Sequence, residues 1–167
     1  MTSGPVHRFL AEDHVRLEAL LLRSIAAAAA IDIDAYSEFR AGLLRHIAME
    51  EKVLVPALRD PGGGEAPAFL ARLRDDHAAI AALLVPPPSP AIVAALRDIL
   101  AGHNPIEEGP GGLYDLSDQR AGAGAADLVD RLRDVPAVRV AAYRDEPRVH
   151  QHIERLLRER AARPPGC

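Results

Sequence analysis

Four stretches of the 167-residue chain repeat apolar residues at alternating spacings of three and four, the rhythm of a helix with one greasy stripe. The first carries Leu10, Leu17 and Leu21; the second Phe39, Leu43, Val53 and Ala57; the third Leu70, Leu73, Ile80 and Leu84; the fourth Leu96 and Leu100. Breakers divide them at residues 31–34, at residues 61–64, and at Pro86-Pro87-Pro88-Ser89-Pro90, where Ser89 is placed to cap a helix with Pro90 in its first turn. The pattern predicts helices over roughly 5–30, 35–60, 66–85 and 90–107 or beyond. No strand alternation competes. Short connections imply antiparallel neighbours, so the expected fold is all-α, an up-down antiparallel four-helix bundle over residues 1–118.

The stripes are interrupted by polar residues in the same register. His14 lies in the first, His46 and Glu50 in the second, His77 in the third, and His103 and Glu107 in the fourth. Burying one such group without a partner costs about a few kcal/mol, and an unpaired carboxylate more, so six placed at random would exhaust the stability of an ordinary domain. They need a shared partner. At a rise of about 1.5 Å per residue, His14 and His46 lie roughly 24 and 18 Å from the turn joining their helices, and His46 and His77 roughly 21 and 18 Å from theirs. The third and fourth helices agree less closely, at roughly 12 and 20 Å, which still brings the histidines to mid-bundle within about two turns.

An internal repeat sharpens the expectation. DHVRLEALLL from Asp13 is similar to DHAAIAALLV from Asp76, and HIAMEE from His46 matches HNPIEE from His103, so each half contributes a lone histidine helix and an HxxxEE helix. Two halves suggest two equivalent cations, with two histidines capping each and two carboxylates bridging both. Nitrogen and oxygen donors without thiolate suit iron best, with manganese or zinc open. Four protein ligands per metal leave room for water, hydroxide, an oxo bridge or a small molecule.

Composition narrows the function classes. The only cysteine is Cys167, so the chain holds no disulfide framework, CxxC pair or thiolate zinc site. A formal charge of -4 with interspersed signs gives no footprint for nucleic acid or an anionic membrane. No apolar run is long enough to span a bilayer, and Glu12 and Asp13 oppose a signal-peptide reading, so the expectation is a cytoplasmic protein without membrane or nucleic-acid partners.

Beyond Leu116 the composition shifts, and AGAGAA at residues 121–126 reads as a joint. Residues 119–167 are expected to form a C-terminal helical extension. Its stripes, Leu128, Leu132 and Val135, then Val149, Ile153, Leu156 and Leu157 after Pro147, are suited to cover the bundle, form a homodimer or hold a lid, packing or dimerisation being favoured. His150 and His152 are expected on the surface.

DH, HIAMEEKVLVPAL, DDH and HNPIEEGPGGLYDL resemble, in order and spacing, the hemerythrin-like or HHE cation-binding family over about residues 7–116. The resemblance implies a non-haem diiron site with His14, His46, His77 and His103 as nitrogen ligands and Glu50 and Glu107 as bridging carboxylates. Two features depart from it. The oxygen-carrying members have a fifth histidine one turn along the third helix, where this chain has Leu73 and Ala81, which favours redox turnover over clean oxygen release. Pro105, between His103 and Glu107, opposes a regular helix there, so Asn104 is expected to cap a new turn, which puts Glu108 forward as a substitute for Glu107. Glu51 and Glu108 otherwise point about 100° from the ligand before them and read as surface charge. Asp13 and Asp76 read either as acceptors orienting an imidazole or as exposed charge. His7 reads as a terminal histidine too far from His14 to share its metal; Tyr36 and Tyr114, which flank the site-bearing helices, read either as reaching the open coordination side or, the favoured reading, as ordinary packing residues. The expected function is binding or sensing of dioxygen, nitric oxide or peroxide, or iron handling; the alternative is a diiron oxidoreductase with peroxidase-like or nitric-oxide-reducing activity.

Overall fold

The computed structural model describes residues 3–27, 30–58 and 67–162, all helix, turn or irregular chain without a strand. The breaker at residues 61–64 and Cys167 lie outside the described residues. In order the helices are α1 (Pro5–Ser24), α2 (Ile33–Met49), a π-helical turn (Glu50–Leu54) running into α3 (Val55–Leu58), α4 (Phe69–Leu83), α5 (Pro90–Glu108), α6 (Leu113–Ala121), α7 (Ala125–Arg133) and α8 (Pro147–Ala161).

Start and stop signals explain most boundaries. Asp32 caps α2 by accepting from the Ala35 N–H, and Ser89 caps α5 by accepting from the Ile92 N–H at 3.2 Å. The expected extension of the first helix to residue 30 does not occur. Ser24 is fully buried and turns its hydroxyl back onto the Leu21 carbonyl at 2.7 Å, while the Ser24 carbonyl accepts from the Asp32 N–H at 2.8 Å. Those bonds, made at a fully buried Ser24, outweigh the helix propensity of the alanines that follow. Pro105 does not break α5 either: the helix runs through it to Glu108, and its ~3 kcal/mol propensity cost is offset by the packing of Val93, Leu96 and Ile99 on the inner face.

Two apolar clusters hold the helices together. One gathers Leu17, Leu21, Tyr36, Phe39, Leu43, Ile80, Leu83, Val93, Leu96 and Ile99. The other gathers Val6, Leu10, Met49, Val53, Leu54, Leu73, Leu113, Tyr114, Leu128 and Leu132. Along α1 the chain leaves the second cluster, passes His14 and enters the first. α2 makes the reverse passage at His46, and α4 again leads from Leu73 past His77 to Ile80. The histidines therefore form a polar layer between two greasy ones.

The C-terminal residues pack on their own chain. Leu128, Val129 and Leu132 of α7 join the second cluster, and Ile153 of α8 joins the first with Val149, Leu156 and Leu157 against it. The AGAGAA stretch contains a single 3₁₀ turn, Gly122–Gly124, that links α6 to α7. The irregular stretch before α8 is tied down by arginines. Arg45 donates to the carbonyls of Val135 and Arg133, and Arg40 to those of Leu84 and Ala141 while stacking on the Tyr143 ring at 4.3 Å.

Candidate metal centre

The structure brings all six predicted donors together, and all six are buried. His14, His46, Glu50 and Glu107 each offer one atom within 4.8 Å of the others, and so do Glu50, His77, His103 and Glu107. Glu50 and Glu107 belong to both sets and divide their oxygens between them. Glu50 Oε1 lies 3.3 Å from His46 Nε2 and Oε2 lies 3.3 Å from His77 Nε2. Glu107 Oε2 lies 3.5 Å from His14 Nε2, and Oε1 lies 3.5 Å from His77 Nε2 and 2.9 Å from His103 Nε2.

Each imidazole turns Nε2 inward because a carboxylate from another helix holds Nδ1. Asp13 holds His46 at 2.8 Å, Glu51 holds His77 at 2.8 Å, Asp76 holds His103 at 3.4 Å and Glu108 holds His14. Such partners select the tautomer with Nε2 as acceptor and aim the ring. The pattern follows the internal repeat: each Asp before a lone histidine orients the HxxxE histidine, and each second Glu orients a lone histidine of the other half. Asp13 and Asp76 thus match the orienting alternative. Glu51 and Glu108 do not stand as idle surface charge; a residue about 100° off the inner face of one helix still faces the flank of its neighbour. Glu108 does not replace Glu107, which is fully buried in the layer.

Local backbone features aim these residues. The π-helical turn starts at Glu50, with Val55 N–H reaching the Glu50 carbonyl. Pro56 explains it: a proline has no N–H for an i→i−4 bond and its ring would crowd the Lys52 carbonyl in a regular helix, so the turn widens. Pro56 was a signal present in the sequence. After α5 the chain turns sharply at Gly111, whose φ of 73° lies in the left-handed region, and at Gly112, where a Cβ would come within 2.4 Å of the Ile106 carbonyl oxygen. The reversal feeds Tyr114 back into the layer. Its hydroxyl donates to Glu50 Oε1 at 2.7 Å and lies 3.1 Å from His14 Nε2 and 3.2 Å from His46 Nε2. Of the two readings open for Tyr114, the structure matches the less favoured one, a residue reaching the donors, because only the glycine turn decides where its ring points. Tyr36, by contrast, packs against Phe39 in the apolar cluster. His7 stays outside the layer, bonded to Asp115 at 3.1 Å and edge-on to the Tyr114 ring.

The electrostatics favour positive charge at the centre. Burial alone would lower His46, His77 and His103, but Glu50 and Asp13 raise His46 to about 10, Asp76 and Glu107 raise His103 to about 9, and Glu107, Glu50 and Glu51 raise His77 to about 12. Burial would raise Glu50, yet His46 and His77 hold it well below the usual carboxylate range. Burial together with Glu50 and Glu107 pushes Tyr114 well above the usual phenol range. Even so, Glu50 Oε2, His77 Nε2 and Glu107 Oε1 are buried and make no well-aligned hydrogen bond, although they face opposite groups at 2.9–3.5 Å. Each such atom costs about 1–3 kcal/mol, more when charged, which is a large share of a typical stability of about 5–15 kcal/mol. Cations between them would relieve that cost, so the residues fit a metal site.

The family model of the hemerythrin HHE cation-binding domain matches residues 6–134. The chain belongs to that family. The matched segment runs from α1 to α7 and contains every donor above. The chain has no significant match among curated proteins or solved structures. No helix among the described residues is long and apolar enough to cross a membrane.

A cavity of about 620 Å³ runs from solvent to His14 between α1, α2 and α5, with Leu17, Leu21, Phe39 and Leu43 on its walls. Glu18, Arg97, Asp98 and Asn104 line it as well, so its walls are mixed apolar and charged.

Proposed function

We propose that this hemerythrin HHE protein holds two iron ions in an up-down four-helix bundle and uses them to bind or sense a small ligand such as dioxygen, nitric oxide or peroxide. The observation that carries this reading is the division of the Glu50 and Glu107 oxygens between two donor sets, each completed by two imidazoles. His14 and His46 would hold one ion and His77 and His103 the other, with both carboxylates bridging. Mixed imidazole and carboxylate donors suit iron, and manganese or zinc less well. The alternating passage of α1, α2 and α4 between the two apolar clusters supports the bundle topology.

When bound, the ions supply open coordination positions and one-electron chemistry. The chain does the rest. Asp13, Glu51, Asp76 and Glu108 fix the imidazole orientations, the two apolar clusters keep bulk water from either side, and the cavity beside His14 gives a small molecule its route. The donors all precede residue 118, and the residues after it supply an exit for the signal: Arg160 of α8 donates to Asp76 Oδ1 at 2.6 Å, and Asp76 Oδ2 faces His103. A change at that imidazole is passed to α8 through one carboxylate.

Elemental analysis of the purified chain tests the reading. The expected result is about two metal ions per wild-type chain, chiefly iron, with large losses in His46→Ala and Glu50→Ala. Metal-free wild-type protein from iron-replete expression would end it. With iron bound, a reversible change in the visible spectrum on ligand addition supports binding or sensing, whereas sustained consumption of peroxide or nitric oxide moves the assignment to an oxidoreductase.

A further inference from the structure

The internal repeat makes the two donor sets look equivalent, and the structure does not. The Tyr114 hydroxyl oxygen lies 2.7 Å from Glu50 Oε1, 3.1 Å from His14 Nε2, 3.2 Å from His46 Nε2 and 3.3 Å from Glu107 Oε2. Those four atoms are one from each member of the first set. Bonds from a first-row metal to nitrogen or oxygen run about 2.0–2.2 Å, so neighbouring corners of an octahedron lie about 2.8–3.1 Å apart. One oxygen at roughly that separation from four donors has the placement of a corner adjacent to all of them.

Among the described residues, no hydroxyl bonds the second set in that way. Its members supply the buried atoms that make no well-aligned hydrogen bond, Glu50 Oε2, His77 Nε2 and Glu107 Oε1, whereas the first set's Glu50 Oε1 and Glu107 Oε2 both accept from Tyr114. The repeat accounts for the difference. After each Glu-Glu pair the halves read KVLVP and GPGGLYD: the second is two residues longer before its leucine and follows it with Tyr114, whereas the first follows Leu54 with the apolar Val55.

We propose that Tyr114 is a fifth protein ligand to the ion held by His14 and His46, making the two metal positions chemically distinct. The proposal rests on the two-metal reading above. The metal–oxygen bond forms as the phenol O–H bond breaks; the proton leaves to solvent, and no oxidation state changes. The first ion then has five protein donors, His14, His46, Glu50, Glu107 and Tyr114, and the second has four, Glu50, His77, His103 and Glu107.

The test compares the full-length wild type with Tyr114→Phe, both loaded with ferric iron, by metal content, visible absorption and resonance Raman. The expected wild type shows a phenolate-to-iron charge-transfer band with enhanced tyrosinate ring vibrations, amounting to one phenolate per two irons. The expected variant keeps its iron and loses both signals. A wild type that binds two irons without a tyrosinate signature overturns the proposal and leaves the two-metal reading standing, as does a signature that survives in the variant. A chain that binds no iron overturns both. Because the wild-type spectrum decides by itself, poor folding of the variant does not shelter the idea.

Discussion

At the scale of single residues, the four carboxylates behind the imidazoles are what set this site apart from a chance meeting of histidines. Removing such a partner from a metal-ligating histidine weakens metal affinity by about 10–100-fold. Glu51→Ala and Glu108→Ala are each expected to show a loss of that size in a chelator competition titration while circular dichroism stays unchanged. Unaltered affinity in both would reduce them to surface charge. The imidazoles also set the pH response of the metal-free protein. His46 and His103 rise from an ordinary 6.5 to about 10 and about 9, so their stabilising protonation is complete below 6.5 and is lost as pH climbs through those values. Asp13 falls from 3.8 to about 2, so its contribution exists above 3.8 and disappears as pH drops toward 2. Chelator-treated protein should therefore melt at its highest temperature between about pH 4 and 6.5 and at progressively lower temperatures toward pH 10. In the metal-loaded protein cations replace those protons, and the alkaline decline should be absent. Identical alkaline profiles with and without metal would contradict this.

Among the elements, turns and caps decide what the helices present. Gly112→Ala would drive a Cβ against the carbonyl oxygens of Ile106 and Glu107, at 2.4 and 2.7 Å, and both are backbone atoms that cannot swing aside. The turn must shift, carrying Tyr114 away from His14 and His46. The expected outcome is iron retained by the histidines and Glu residues with loss of the tyrosinate signal, read in the same spectra. A second device ties the start of α1 to α6. Gly4 has no side chain to cap α1, and Asp118 of α6 takes that role by accepting from the Val6 and His7 N–H groups at 2.9 and 3.0 Å. Asp118→Ala should cost about 1 kcal/mol in denaturant unfolding, as loss of a helix cap does, with metal content unchanged.

Across the whole molecule, the polar layer is strung between two apolar clusters and connected to α8 by Arg160. The Arg160–Asp76 pair is largely buried, so removing the guanidinium leaves a nearly solvent-free carboxylate without its cation. Arg160→Ala is expected to raise amide hydrogen exchange in α8 and to weaken metal binding, with α7 unaffected. Protection of α8 unchanged from wild type would remove its claim to carry a signal.

The sequence alone determined the helical class, the four seams and the six inward donors, because periodicity and the energetic penalty of buried polar groups act within each helix and leave a mark at fixed spacing. It also held the repeat that pairs the two halves. Tertiary structure decided the rest: where α1 stops, whether α5 survives Pro105, that Glu51 and Glu108 face a neighbour's histidine, and that the Tyr114 hydroxyl lies against His14 and His46. Those outcomes depend on contacts between residues as far apart as His14 and Tyr114, and on a glycine turn whose direction no local spacing encodes. A short-range pattern can say which face of a helix is inward; only the packed chain says whose side chain it meets there.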